Sequence, residues 1–365
     1  MIGVVVFVAR KDLWFARGRF ALVGLVIGLV ALMATLLSGL ANGLVDDGVS
    51  GLRQLPASHL AFQPGAESTF SRSTLTREAL EPWDELDGVE SAPIGMSFFN
   101  ARRDDGTTID LAVFGAPAES FLAAAIGGLD DAASAPGLIV SDTYEDVLTV
   151  GDVVTIVGLD QEIPIVGFAS LGSYGHVDVA FTSLTTWQSL LYGDNAADRF
   201  SAIAVRSDDL EAVSSAATTS GTELETRESA FRGSPGYTGE TQTMSMMRTF
   251  LLLISALVVG AFFTVWTVQR NSEIGLLKAL GASTFYVIKD AIGQMVAVLL
   301  AASTIGALMG VGLGSLVGSS VPFRLEAAPV ISSIALLVAF GVIGCLVALR
   351  RIVSVDPIIA LRART

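Results

Sequence analysis

Four residues with donor or cationic side chains fall close together at the outer rim of an apolar stretch: Tyr237, Met244, Met247 and Arg248 lie within twelve residues, with Met246 among them. Phenol and thioether are polarizable donors, and a guanidinium fixes oxyanions. Such a set suits a flat ligand with a charged edge. It equally suits lipid-facing or core methionines beside a tyrosine of the membrane interface. A second donor pair, Tyr174 and His176, sits on the glycine-flanked stretch Gly172–His176, which an ordinary turn also explains. No catalytic constellation accompanies them. The sequence has no HExxH, CxxC, GxxxxGK[ST] or GxSxG pattern, so zinc protease, redox, nucleotide-hydrolase and nucleophile-elbow chemistries lack support. The lone Cys345 excludes an internal disulfide and a multi-cysteine metal site and reads as filler. No metal site and no nucleic-acid partner are expected.

The elements that must position these residues follow from hydropathy. Of the 365 residues 52% are hydrophobic and the mean hydropathy is +0.62, which fits membrane spans joined to one folded domain. Apolar runs cover about 20–44, 246–268, 287–321 and 329–349. Each exceeds the roughly 20 residues that cross a bilayer core. The first is longer than a signal-peptide core and no A-x-A-like site closes it, so it reads as a retained helix. The expected fold class is therefore membrane α-helical, with four transmembrane helices and a mixed α+β extracytoplasmic domain between helices one and two. The expected division is 1–45 for the N-terminal segment and first span, 46–245 for the extracytoplasmic domain, and 246–365 for the other three spans with a cytoplasmic loop over 269–286.

Charge gives the arrangement a direction. Between Asp46 and Ser245 stand 9 Arg, no Lys and 31 acidic residues, a net of −22, while the remaining residues carry +8. Basic residues flank one side of the spans: Arg10, Lys11, Arg17 and Arg19, then Arg270, Lys278 and Lys289, then Arg350, Arg351, Arg362 and Arg364. The positive-inside rule places both termini and the 269–286 loop in the cytoplasm. Asp290, the one acid inside a span, sits near the cytoplasmic end where it can pair with Lys289 or Arg270.

Within 46–245, alternating segments at 60–62, 108–114, 137–140, 152–157, 163–168, 177–181 and 202–206 predict strands, and 78–86, 118–126, 183–192 and 210–219 predict helices. The stretches 150–158 and 163–167 look like a hairpin of a small barrel, and 220–245 reads as a connector. Its scattered carboxylates read as solvated surface. In the spans, Gly306, Gly310 and Gly314 recur every four residues up to Gly318, and Gly24 and Gly28 do the same in the first span. Such faces admit close helix approach, either within one subunit or at a homodimer seam.

Two motifs carry a family resemblance. The loop Val268–Ser283 reads VQRNSEIGLLKALGAS, and Arg350–Arg362 reads RRIVSVDPIIALR. Both resemble the MacB/FtsX-type ABC transporter permeases, as does the order of one span, a large outer domain and three spans across the whole length. Within that family the chain is most similar to heme-exporter permeases of the HrtB type, on Lys11–Leu13 through Arg19–Leu22, Leu37–Leu44 and Phe181–Gln188. The loop agrees physically. Arg270, Glu273, Ile274, Leu277, Lys278 and Leu280 fall on a short amphipathic helix ended by Gly281, suited to a groove on a partner or to lipid headgroups.

The resemblance implies a permease subunit working as a homodimer with two copies of a cytoplasmic ABC ATPase, which binds the ATP and Mg. It implies heme as transported substrate, taken laterally from the membrane, with Tyr237, Met244, Met247, Arg248 and Tyr174 as candidate contacts. A heme carrier needs an apolar slot, axial donors and cations for the propionates. The family also admits permeases for lipids, lipoproteins or peptides, and a mechanotransmission subunit that transports nothing. A signalling protein is disfavoured, because no cytoplasmic output domain follows.

Overall fold

The computed structural model describes residues 17–126, 136–193, 198–269, 283–317 and 321–353. Its main helices are α1 (Arg17–Gln54), α2 (Arg77–Asp84), α3 (Leu184–Tyr192), α4 (Leu210–Ser220), α5 (Tyr237–Gln269), α6 (Thr284–Gly314) and α7 (Ala327–Val353). Its strands are β1 (His59–Phe62), β2 (Glu90–Arg102), β3 (Thr108–Ala116), β4 (Leu138–Ser141), β5 (Val153–Ile156), β6 (Gln161–Ala169), β7 (Ser173–Tyr174), β8 (Val177–Ser183), β9 (Ala202–Arg206) and β10 (Glu223–Thr226). The chain forms two compact units. A β-rich unit spans Leu44–Thr241, and a helical unit takes the residues before and after it.

Four helices are long and apolar enough to cross a membrane, over Ala21–Gln54, Tyr237–Phe262, Ile292–Gly314 and Ala327–Leu346. The helical unit closes around Val23, Ile27, Ala31, Val259, Met295, Leu299, Ala302, Leu337 and Cys345. Glycines set its closest approaches. A Cβ on Gly306 would collide with the backbone of Gly28, and one on Gly310 would press on Thr35 at 2.8 Å. Gly39 and Gly314 leave room for the Phe323 ring, and Gly43 for the Pro322 carbonyl. The 322–324 link is thereby folded against α1 and α6, and the Arg324 amide donates to the Gly39 carbonyl at 2.9 Å.

The helix ends differ from those hydropathy predicts. α1 continues ten residues past Leu44, where Val49 and Leu52 are fully buried in the core of the β-rich unit. A buried apolar stripe, not lipid, sustains that extension. α6 stops at Gly314 instead of running to Val321, and Gly314 itself leaves room for the Phe323 ring. The stretch 220–245 is not a connector: it holds β10, a short helix at Arg227–Ala230 and the first turns of α5. Its polar composition hides a strand that pairs with β1 through Phe62↔Glu223 and His59↔Thr226.

In the β-rich unit the strand order is β10-β1-β9-β2-β3-β8-β4-β6-β5, and β5 pairs back to β2 through Ala101↔Ile156 and Arg102↔Thr155. The six strands β2, β3, β8, β4, β6 and β5 thus close a circuit, removing free edges. Its interior holds Leu111, Val113, Val140, Val154, Ile156, Ile165 and Trp187. β2 is the hinge of the unit: residues 90–94 pair with β9 in the flatter sheet, and 95–102 pair with β3 in the barrel. Sequence reading misses β2 because Pro93 and Gly95 look like breakers. Gly95 is instead a seat. It stands opposite Gly115 across the β2–β3 ladder, and a Cβ on either would strike Trp187.

Trp187 is fully buried and its Nε1 has no hydrogen-bond partner. Its contribution is therefore packing. Trp187→Ala is expected to destabilise the β-rich unit by ~3–5 kcal/mol, as for large aromatic truncations in cores. Trp187→Phe should cost roughly half as much or less, since no hydrogen bond is lost. Denaturant unfolding of the purified chain, followed by near-UV circular dichroism, checks the ranking.

Candidate substrate site

The two helices that carry the chain into and out of the β-rich unit meet at one side chain. His176 lies in the β7–β8 hairpin, where Tyr174 pairs with Val177 and the two central residues, Gly175 and His176, both have positive φ (61° and 64°). That is the geometry of a tight I′-type hairpin turn, and histidine tolerates it better than most residues. The turn aims the imidazole between two carboxylates. Nδ1 lies 2.9 Å from Asp47 Oδ2 near the end of α1, and Nε2 lies 2.8 Å from Glu240 Oε1 in the first turn of α5. A neutral imidazole has one N–H and serves one of these contacts; the doubly protonated ring serves both. Burial opposes the charge, but the bonds to Asp47 and Glu240 outweigh it and raise the His176 pKa.

Backbone contacts fix the same joint. The Gly175 amide donates to the Gly48 carbonyl at 2.9 Å, and Ser234 Oγ donates to that carbonyl at 2.7 Å. Ser173 donates its amide to Ser50 Oγ at 2.9 Å and its hydroxyl to Asp47 Oδ1 at 3.3 Å. Asp178 lies next to this network with its pKa raised, chiefly by burial, with the Asp47 charge adding to it.

Tyr174 is buried behind the joint at 1% exposure, not displayed on a loop. Its ring packs edge-on to Phe70 and Phe114 at 5.8 Å each and stacks with Phe98 at 6.0 Å. Phe98 is 44% exposed and so forms the outer face of that cluster. Burial alone pushes the Tyr174 phenol up, keeping it protonated. Tyr237 packs partly buried on the same core cluster, edge-on to Phe231 at 6.1 Å. The β-rich unit therefore brings Tyr174 and Tyr237 to one aromatic cluster.

In the helical unit, Met244 is partly buried, and Met246 and Met247 are exposed along α5. Arg248 is held by neutral oxygens: its Nη2 donates to Ser332 Oγ at 3.1 Å and to Ser333 Oγ at 2.9 Å. The serines were not among the residues expected from sequence. Gly24 meets only Ala302 Cβ at 3.8 Å, and Gly28 meets the Ala302 carbonyl at 3.4 Å. Gly306, Gly310 and Gly314 face α1 and the 322–325 link of their own chain, so this face is filled without a second copy. Arg270, Glu273, Ile274, Leu277, Lys278 and Leu280 lie outside the described residues, as does the side chain of Asp290. Among the described residues, no group of three or more His, Cys, Asp or Glu side chains is arranged to hold a metal ion.

Comparison with known proteins gives this arrangement a lineage. A model of the MacB-like periplasmic core domain matches residues 20–220, and a model of the FtsX-like permease C-terminal domain matches residues 245–357. A protein of Staphylococcus haemolyticus that carries the name hemin transport system permease HrtB is 25% identical over 97% of this chain and 98% of its own length. A Staphylococcus epidermidis protein of the same name is 23% identical over 97% of this chain and 98% of its own. The extracellular domain of the noncanonic ABC-type transporter YknZ aligns with 47% of this chain and 98% of itself, at 14% identity and a TM-score of 0.34.

The joint makes a pH prediction. Because the folded His176 pKa is raised, its stabilisation is fully present below the ordinary histidine value near 6.5 and is lost as pH rises through the raised folded value. The melting temperature of the purified chain should therefore fall as pH climbs from about 6 towards 9. His176→Gln should flatten that slope while lowering stability at pH 6. An unchanged slope in the variant would remove His176 from the account.

Proposed function

This chain belongs to the family of MacB/FtsX-type ABC transporter permeases, and from that premise we propose that it is the membrane subunit of an ATP-driven exporter of heme. The reading rests above all on the similarity to permeases named for hemin transport over 97% of the chain. A porphyrin needs aromatic faces, a donor and cations, and Tyr237, Met244, Met247 and Arg248 on α5 are of those chemical types, whereas Tyr174 is enclosed in the aromatic core of the β-rich unit and is not offered as a contact.

In this reading the β-rich unit is extracytoplasmic, the termini and the 269–286 loop are cytoplasmic, and the protein works as a homodimer in a bacterial plasma membrane. Two copies of a separate ATPase supply ATP and Mg chemistry, because this chain carries no phosphate-binding loop. The ATPase docks on the loop through Arg270, Glu273, Ile274, Leu277, Lys278 and Leu280. ATP binding draws the two loops together and shifts the packing of the spans between two arrangements. Of the four spans, α5 is the least covered by its own chain: 11% of its most apolar window is buried, against 28–33% for the others. Met246, Phe250, Leu253 and Leu257 are exposed along it, which favours α5 as the helix that meets the second copy. Heme enters laterally from the membrane and leaves outward.

Two experiments test this. Titration of purified chain with heme should give a saturable Soret band, altered by Tyr237→Phe or Met244→Ala. A wild-type protein without a saturable band would favour export of a lipid, lipoprotein or peptide, or mechanotransmission without transport. In a Cys345→Ser background, Phe250→Cys should cross-link two copies and stop export. Full export by the cross-linked dimer would sink the rocking mechanism.

A further inference from the structure

We propose that Arg248, held in place by Ser332 and Ser333 of α7, is the anchor for the oxyanion of an amphiphile lying among the spans. The observation is a cation with only neutral partners. Nη2 spends both of its hydrogens on Ser332 Oγ and Ser333 Oγ. Each serine donates its own hydrogen to the Pro329 carbonyl, at 2.9 and 2.7 Å. Ser333 Oγ also lies 3.4 Å from Ser38 Oγ of α1, and both serines are nearly inaccessible. With its hydrogen given to Pro329, Ser333 accepts from Arg248 and from Ser38, which fills both of its lone pairs. Ser333 is thus saturated, and neither it nor Ser332 carries a charge that would neutralise the guanidinium.

A guanidinium has five N–H donors. Two are spent on the serines, and the Nε and Nη1 donors have no partner among the described residues. The carboxylates nearest in sequence are engaged elsewhere: Glu240 with His176, and Glu326 facing Arg324 at 3.8 Å. In the same unit Asn42, one turn beyond Ser38 on α1, has a buried Nδ2 with no partner, and Ser255, two turns beyond Arg248 on α5, has a buried Oγ with none. An unneutralised cation in an apolar unit calls for an acceptor that carries negative charge. The fixed serine shelf holds the fork in one orientation before the ligand arrives.

The shared chemistry is an oxyanion on an apolar body, and it has two sources. One is the carboxylate of the transported substrate, which rests on the proposed function. The other is the phosphate of a membrane lipid, which does not. The test uses full-length chain in phosphatidylcholine nanodiscs, with hemin and hemin dimethyl ester as probes, and native mass spectrometry of retained phosphatidylglycerol with dioleoylglycerol as the phosphate-free control.

If the substrate carboxylate is the anion, wild type prefers hemin to its diester by about tenfold, the worth of one charge-assisted hydrogen bond. Arg248→Gln abolishes that preference by weakening hemin binding far more than diester binding, and Ser332→Ala/Ser333→Ala narrows it severalfold as expected of positioning residues. Arg248→Lys, which keeps the charge and loses the fork, retains part of the preference and guards against misfolding of the glutamine variant. If the anion is a lipid phosphate, the hemin preference is unaffected and Arg248→Gln instead loses a retained phosphatidylglycerol but no dioleoylglycerol. Should wild type bind no porphyrin, the heme reading fails and the lipid arm alone decides this site. Unchanged porphyrin preference together with unchanged lipid retention overturns the proposal.

Discussion

The chain passes into the β-rich unit on α1 and out of it on α5, and those two helices are tied together through a single imidazole. Asp47 near the end of one and Glu240 at the start of the other are far apart in sequence, and His176 bonds to both at 2.9 and 2.8 Å. The hairpin that carries His176 is itself nailed to α1 through the Gly48 carbonyl, which also accepts the Ser234 hydroxyl. Everything near the joint inherits its position from this clasp. Tyr174 precedes His176 by two residues and Tyr237 precedes Glu240 by three, so the two phenols are set by the same bonds that hold the helices. A partly exposed ion triad is modest in energy, yet it fixes geometry, because each partner has one orientation in which it reaches the ring.

The helical unit is governed by a different constraint. Its helices have no water to exclude between them, so association depends on close backbone approach and on polar contacts. Glycine supplies the first at Gly28–Gly306 and around Phe323. The serine–arginine set supplies the second. Thr35 and Ser303 satisfy themselves on their own helices, at Ala31 and Leu299, and so contribute no crosslink. Ser332 and Ser333 also give their hydrogens to their own helix, at Pro329, but their oxygens accept from Arg248, and Ser333 meets Ser38, so the set joins α1, α7 and α5. Polar residues that bridge helices as well as back-bonding locally are the ones that encode a specific arrangement.

Much of this was legible in the sequence, for reasons that also explain the failures. Runs of apolar residues report spans because lipid demands satisfied backbone and apolar surface together. The same logic fails at the ends: the α1 extension over 45–54 is polar on one side and buried on the other, and the start of α5 is polar because it leaves the apolar zone. Strands with clean alternation were readable, including both arms of the β5–β6 hairpin. β2 was not, since its Pro93 and Gly95 exist for neighbours distant in sequence, namely β9 and Trp187. At the candidate site, single residue types were visible while partnership was not. His176 stood out as a donor on a turn, but no spacing rule links it to Asp47 129 positions away or to Glu240 64 positions away. Ser332 and Ser333 carry no signal at all until α7 sets them against Arg248.

Charge asymmetry completes the physical picture. Residues 46–245 carry a net −22, whereas Arg248 stands in the helical unit with neutral partners. Fields of exposed charges act over about a Debye length, ~8 Å at physiological ionic strength, and a like-charged surface lowers the local concentration of an ion as surely as an opposite one raises it. An anionic amphiphile is therefore depleted at the surface of the acidic unit and favoured beside the arginine.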